Sequence, residues 1–249
     1  MAVSIIMPAY NSAEFIAESI QSVIAQTYKD WELIITDDHS TDETVDIVKS
    51  YKTRDNRIKL IELNDNGGPA VARNRALNLA SNRFIAFLDS DDLWHPQKLE
   101  LQLNFMKEND YAFTFTSYQR ISRDGATNYN VIRVPARISY GELLKNTIIG
   151  TLTVVIDKEK VGAFEMDNIR YRQDMALWCE ILKRGFYAYG LNKVLASYRV
   201  VSKYSIIKKI RGAKGVWKVY RRIEKIGPIR SMYYFVHYAT NAFLKRVKI

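Results

Sequence analysis

Val3-Ser4-Ile5-Ile6-Met7 is an apolar run closed by Pro8, and it predicts a short buried strand. Residues 12–26 then place Phe15, Ile16, Ile20, Val23 and Ile24 at helical intervals, with Asn11 and Glu14 spaced as an N-cap and its reciprocal partner. Trp31 to Thr36 reads as a second strand running into Asp37-Asp38, and Ser40-Thr41-Asp42-Glu43 as a capping box for a helix carrying Val45, Ile47 and Val48. Arg57 to Leu63 is a third strand, and Asn64 to Pro69 is turn chemistry, with Pro69 suited to the first turn of a helix reaching about Ser81. Phe84 to Leu88 is a fourth strand, ending at Asp89-Ser90-Asp91-Asp92, and Pro96 opens a helix through Met106. Strand and helix alternating at this spacing predict βαβ units and a mostly parallel sheet. The early strands show no polar alternation, as expected when helices cover both faces.

The rhythm changes after residue 110. Tyr111 to Ile121 and Asn128 to Val134 flank Asp124-Gly125, a hairpin signal. Leu143 falls in a short helix, Leu152 to Ile156 in a strand, and Asp174 to Lys183 in an amphipathic helix. Phe186 to Tyr189 and Val194 to Val200 read as two late strands. The pattern predicts one mixed α/β domain over residues 1–202 (parts 1–110 and 111–202), followed by a basic helical extension over 203–249.

Composition narrows the class. A chain of 249 residues, 47% of them hydrophobic, has the apolar material for a core and is not a disordered chain. Its one cysteine, Cys179, excludes an internal disulfide or a cysteine-rich zinc site and suits a reducing compartment. No apolar run reaches the roughly 18–20 residues of a membrane span, and the N-terminus reads as a strand rather than a basic leader. The expectation is a soluble or peripheral cytoplasmic protein. The formal net charge of +10 is uneven: residues 203–249 hold 13 Lys/Arg and a single acid, Glu224. That block suits an anionic polymer or an anionic membrane face.

Candidate chemistry lies at strand ends. In open α/β sheets ligands bind beyond the carboxyl ends of the strands. Asp37-Asp38 and Asp89-Ser90-Asp91-Asp92 stand there, too close to ionise together without a cation or hydrogen-bond donors between them. Mg2+ or Mn2+, taking one or two carboxylates with phosphate oxygens and water, is the economical answer. Histidine-rich zinc ligation is poorly supported, with only His39, His95 and His237. Gly67-Gly68-Pro69 leads into a helix bearing Arg73, a helix start that suits an anion or an ordinary turn.

These pieces fall in the order found in family 2 glycosyltransferases. The sequence resembles bacterial members that build O-antigen, capsule or teichuronic-type polysaccharides, through VSIIMPAYN (3–11), SIQSVIAQTYKDWELIITDDHSTDETVDIV (19–48), NGGPAVARNRAL (66–77), FIAFLDSDDLWHPQKL (84–99), RYRQDMALWCEILKRG (170–185) and LASYRV (195–200). The likeness spans residues 3–205. It implies a GT-A fold, in which a nucleotide-binding α/β part is joined to a smaller acceptor-binding part. It also implies inverting transfer of a sugar from a nucleotide diphosphosugar, by expectation a UDP-sugar, to a saccharide hydroxyl.

The resemblance further implies roles. Pro8, Ala9 and Tyr10 line the nucleotide base, Asp38 hydrogen-bonds it, and Asp37 is its neighbour. Arg73 and Arg199 approach the diphosphate. Asp89-Ser90-Asp91 is the DxD motif, with Asp91 the metal ligand, Asp89 on ribose or metal, and Asp92 a substitute ligand. Asp174 is the general base. Gln173, where the family has an acid, orients a sugar hydroxyl. Trp178 flanks the acceptor, with the core left open as an alternative by its helical spacing from Asp174 and Ile181.

The basic extension places Trp217, Tyr220, Ile223 and Ile226 on one helical spacing between Lys218, Arg221, Arg222 and Lys225, and Lys245, Arg246 and Lys248 close the chain. It reads as an interfacial anchor on an anionic membrane, where a polyprenyl-diphosphate-linked acceptor would lie, or as a lid packed on the catalytic domain or on a second copy in a homodimer. Two further classes compete with the enzyme. A nucleic-acid-binding protein would use the basic tail, but the other residues carry no motif for it. A non-catalytic sugar-nucleotide sensor would share the fold, and the retained Asp174 argues against it.

Overall fold

The structure, a computed structural model, describes residues 1–201 and 206–247. Its strands are β1 (Val3–Ala9), β2 (Trp31–Asp37), β3 (Ile58–Glu62), β4 (Phe84–Phe87), β5 (Leu93–Trp94), β6 (Phe113–Ile121), β7 (Asn128–Ile132), β8 (Arg137–Ile138), β9 (Val155–Asp157) and β10 (Ala188–Arg199). They form one mixed sheet in the order β3-β2-β1-β4-β9-β6-β10-β5, with β7 on β6 and β8 on β10. The first four pair in parallel, and β9 then joins β4 to β6 by antiparallel pairing on both sides. The helices are α1 (Ile16–Ile24), α2 (Thr44–Lys52), α3 (Pro69–Leu79), α4 (Lys98–Glu108), α5 (Tyr140–Lys145), α6 (Lys158–Val161), α7 (Gln173–Lys183), α8 (Ile206–Lys218) and α9 (Pro228–Val247).

Two apolar layers follow from the pleat. Val3, Ile5 and Met7 face one side, where Ile16 and Ile20 of α1, Val48 of α2 and Leu99 and Leu103 of α4 pack. Ile6, Ile34 and Phe87 face the other, under α3, α5, α7 and α8. Both faces of β1 and β2 are therefore covered, which explains their unbroken hydrophobicity. The first strand runs through Pro8, two residues past the expected end. Odd positions of β1 face β2, as Asp38 N–H donating to Ala9 O shows, so Pro8 faces β4. The β1–β4 register closes at Ile6 and Phe87, so the missing proline donor costs no ladder bond there.

Several expected details differ. Asn11 does not cap α1; it takes φ +46 and accepts from Thr41 N–H, while Glu14 pairs with Arg123. The box at Ser40–Glu43 does not form. Asp42 Oδ1 accepts from Thr44 N–H, and Ser40 is used by Asp37. The two late strands are one strand, β10, broken in register between Leu191 and Ala196. Thr151–Thr153 is a 3-10 turn before β9. The helix expected over 214–226 is the end of α8 and a π turn, Val219–Ile223.

The C-terminal helices pack on the α5–α7 side. Val216, Val219 and Tyr220 are buried, and Tyr220 Oη donates to Leu144 O. Glu224, the tail's single acid, accepts from Tyr140 Oη at 2.6 Å and pairs with Lys183 at 2.7 Å. Asn241 Nδ2 donates to Lys145 O at 3.1 Å. The residue 202/203 boundary and the closing Lys248 lie outside the described residues.

Gly190 tests how tightly the later sheet is built. A Cβ there would sit 2.0 Å from Pro135 O, across the strand whose Gly190 N–H donates to Ala136 O. Gly190→Ala is expected to cost about 1–3 kcal/mol by forcing the backbones apart. A thermal unfolding midpoint equal to the parent's would show that the 135–136 loop yields freely.

Candidate active site

Strand order reverses between β1 and β4, which places a crevice at their carboxyl ends. A cavity of about 700 Å3 opens there, and Pro8, Ala9, Tyr10, Asp38, Asp89 and Asp91 line it. Tyr10 is half-exposed at the rim, placed to offer its ring to a flat ligand. A second cavity, about 780 Å3, contains Asp174, Thr151 and Tyr198. Arg73, Asp89, Arg170 and Gln173 line both, so the two cavities meet at these side chains.

The acidic pair after β2 divides its work. Asp37 is buried, and both its oxygens accept from Ser40, from N–H at 2.9 Å and Oγ at 2.5 Å. Asp37, expected in the base pocket, is instead spent on folding its own loop. Asp38 lines the first cavity and accepts from Gly67 N–H and Gly68 N–H, both at 2.8 Å. The donors preceding α3, expected to suit an anionic ligand, are therefore filled by a protein carboxylate. This bridge fixes the Asn66–Gly68 loop against the end of β2.

The acids after β4 point in three directions. Asp89 pairs with Arg73. Ser90 is clamped from α1's side, its Oγ 2.8 Å from Ser12 Oγ and its carbonyl accepting from Ser19 Oγ at 2.9 Å. Asp92 is buried, and its Oδ1 accepts from Arg199 N–H at 2.9 Å. Burial, reinforced by Asp91 and Asp89, pushes the Asp92 carboxyl well above the usual carboxylate range. Expected as a substitute ligand, Asp92 is turned to β10 and the second cavity, outside the first. Asp91 remains in the first cavity, its carboxyl pushed up to about 6 by burial and then by the charge of Asp89.

The two arginines differ. Arg73 is only 5% exposed, and its Nε and Nη1 are buried without a partner. A buried guanidinium with unfilled donors at the junction of two cavities is suited to an anion. Arg199, expected at the diphosphate, is consumed inside the protein. Its Nε donates to Asp91 O at 2.9 Å, Nη1 to Arg123 O at 2.7 Å and Nη2 to Glu18 Oε2 at 2.5 Å. It locks the 89–92 loop to α1 and β10.

In the second cavity, Asp174 lies in the first turn of α7, and its Oδ2 accepts from Thr151 Oγ1 at 3.1 Å. The turn that carries Thr151 is held from the 89–102 side: Trp94 Nε1 donates to Leu152 O at 2.8 Å and Gln102 Nε2 to Thr153 O at 2.9 Å. Gln173 lies beside Asp174 and reaches both cavities. Trp178, expected beside the acceptor, is 1% exposed and packs edge-on to Phe87 in the core. Its helical spacing was the signal for that. Arg172, within the 170–185 motif but given no role there, and Thr151, Arg211 and Tyr238, which carried no sequence signal, complete the wall, the last two from the C-terminal helices.

Among the described residues, no group of three or more His, Cys, Asp or Glu side chains gathers to hold a metal unaided. Asp91 and Asp89 nevertheless fit a hard divalent cation whose remaining ligands come from phosphate and water. They are oxygen donors on one open cavity, and the charge of one raises the other's proton affinity.

The model of the family described as Glycosyl transferase family 2 matches residues 4–169. The chain is 48% identical over 245 residues to "Putative teichuronic acid biosynthesis glycosyltransferase TuaG" of Bacillus subtilis (strain 168), covering 98% of this chain and 97% of that protein. It is 39% identical over 237 residues to the Escherichia coli "UDP-Glc:alpha-D-GlcNAc-diphosphoundecaprenol beta-1,3-glucosyltransferase WfgD", covering 95% and 91%. A solved structure, "Mannosyltransferase PcManGT from Pyrobaculum calidifontis in complex with GDP-Man and Mn2+", superposes with a TM-score of 0.72 at 22% identity, covering 90% of this chain and 64% of that one.

Arg199→Met removes the guanidinium that joins Glu18, Asp91 O and Arg123 O. The expected loss is about 2–4 kcal/mol, together with weaker nucleotide binding at the loosened 89–92 loop. Parallel denaturant unfolding and nucleotide titration check it; a stable variant with full affinity would contradict the role.

Proposed function

We propose that this chain, which belongs to glycosyl transferase family 2, transfers a sugar from a UDP-sugar to a hydroxyl of a lipid-diphosphate-linked saccharide in bacterial surface-polysaccharide assembly. It is a glycosyltransferase with the GT-A fold. The carrying observation is that the cavity holding Asp89 and Asp91 and the cavity holding Asp174 meet at Arg73 and Gln173. A donor in one and an acceptor in the other would bring anomeric carbon and hydroxyl together at that junction. The printed name of the 39% identical relative, which specifies UDP-glucose and a diphosphoundecaprenol acceptor, supports both substrate classes.

In this reading Pro8, Ala9 and Tyr10 receive the base, with Asp38 shaping the pocket floor. Asp91, with Asp89, would hold Mn2+ or Mg2+, and the bound ion would offset charge on the leaving diphosphate. Arg73 adds its unfilled Nε and Nη1 donors where that charge grows. Asp174 accepts the proton of the attacking hydroxyl. Thr151 occupies Oδ2 and so leaves Oδ1 free to take that proton. Attack from the face opposite the leaving group is a single displacement with inversion. Gln173 supplies an amide at the junction, where a sugar hydroxyl can be oriented.

We also propose a peripheral position on the inner face of the cell membrane. Among the described residues, no helix is long and apolar enough to cross a bilayer. Helix α9 turns Ile229, Met232, Tyr233 and Val236 outward, with Ile229 85% exposed, on helical spacing. Arg221, Arg222 and Lys225 before α9 and Arg230 within it are exposed. An apolar face together with exposed cations suits an anionic lipid surface.

Asp174→Asn is expected to keep UDP binding and to lose about 10²–10⁴-fold in transfer. Thr151→Val should lower kcat less, with the donor KM unmoved. Turnover assays of UDP release checked against product would remove Asp174 from the role if the Asn variant worked normally. For the membrane, flotation with anionic vesicles is expected for the parent and lost on Ile229→Asp with Val236→Asp. Equal flotation of both proteins would dismiss the stripe.

A further inference from the structure

The basic C-terminal extension is a wall of the second cavity. Arg211 and Gly212 of α8 and Tyr238 and Ala242 of α9 line the space that contains Asp174. Next to it lies a smaller recess of about 210 Å3 between α8 and the 169–171 segment. Its lining includes Arg170, Arg211, Lys214 and Lys218 and no acid. Arg170 and Arg211 line both spaces, so the recess opens beside the cavity of Asp174.

The arrangement is built by sequence spacing and by one close approach. Arg211, Lys214 and Lys218 recur at intervals of three and four, on a single face of α8. Gly215 lies on the same face, and a Cβ there would stand 3.0 Å from Tyr171 Cβ and 3.1 Å from Arg172 Cγ. Its lack of a side chain lets α8 lie against the loop that leads into Asp174. Arg172 crosses that contact and donates through Nη2 to Tyr238 Oη at 3.3 Å. Arg170, Arg172, Arg211, Lys214 and Lys218 thus stand together, and no salt bridge between described residues neutralises them. Within the recess itself the lining cations face no acid, and like charges so gathered favour an anionic ligand.

We infer that this recess binds the diphosphate of the lipid-linked acceptor, holding the attached sugar over Asp174 while the lipid leaves toward the exposed face of α9. The inference rests on the lipid-diphosphate acceptor proposed above and names the residues that read it. The tail's charge is thereby divided between two roles. Arg211, Lys214 and Lys218 recognise the acceptor, while the outward cations of 221–230 face the membrane. A diphosphate esterified to a lipid and a free diphosphate share the chemistry, and the site differs from the donor's diphosphate position at Arg73.

The test is calorimetric titration of the full chain, held in saturating UDP and Mn2+ so that the donor site is filled. The probes are geranyl diphosphate, geranyl monophosphate, inorganic diphosphate and geraniol. Geranyl diphosphate is expected to bind, inorganic diphosphate to compete with it, the monophosphate to bind at least several-fold more weakly, and geraniol not to bind. Arg211→Ala with Lys214→Ala should weaken geranyl diphosphate at least 10-fold and leave UDP affinity unchanged. Arg211→Glu with Lys214→Glu should abolish it. UDP affinity reports folding in each variant. Equal geranyl diphosphate affinity in parent and variants, or equal binding of geraniol, overturns the inference while leaving the donor reading intact. Failure of the parent to bind UDP would instead strike the donor reading.

Discussion

Three carboxylates within the four residues Asp89 to Asp92 cannot share one strand end in the same state. The fold eases the conflict by giving each a different partner. Asp89 meets Arg73, Asp92 is buried against the Arg199 backbone, and Asp91 shares the open cavity with Asp89 without an arginine of its own. The separation depends on Arg199. Its guanidinium holds the Asp91 carbonyl, the Arg123 carbonyl and Glu18 at once. A residue near the end of the sheet thereby sets the geometry of a loop more than a hundred positions earlier.

The same linkage reaches the other half of the site. Trp94 and Gln102, just beyond the acidic loop, hold the turn that offers Thr151 to Asp174. The two cavities are consequently built on one connected scaffold, with Arg73 and Gln173 between them. The C-terminal helices finish it. Their inner face is committed to α5 and α7 through Tyr220 and Glu224, while Ile229, Met232, Tyr233 and Val236 of α9 stay exposed. Lid and anchor, posed as alternatives for the basic tail, are compatible as two faces of one appendage.

The parallel half of the sheet was legible because β1, β2 and β4 are largely apolar runs, and β2 and β4 end in acids at the crevice. Asp38, Asp89 and Asp91, acids at the strand ends, were legible for that reason, while Pro8, Tyr10 and Arg73 were expected there through the family resemblance, and all line one cavity. What failed to show was the choice between equivalent polar groups. Nothing in a pair of aspartates says that Asp37 folds its own turn with Ser40 while Asp38 receives Gly67 and Gly68. Arg199 reads as a free cation until its carbonyl partners are known. Trp178 had the spacing of a core residue, and the core is where it lies. The rest of the wall beside Asp174 was hidden because Thr151 and Arg211 lie outside the recognised motifs, and Arg211 reaches Arg172 only through the packing of α8 on the 170–172 loop.

The proposed metal site rests on the Asp91 carboxylate, with Asp92 a structural acid. Titration of UDP with and without Mn2+, in Asp91→Asn and in Asp92→Asn, separates the two. The expected result is that Mn2+ no longer strengthens UDP binding in the Asp91 variant and still does so in the Asp92 variant. Retained metal dependence without the Asp91 carboxylate, or its loss only without Asp92, would contradict it.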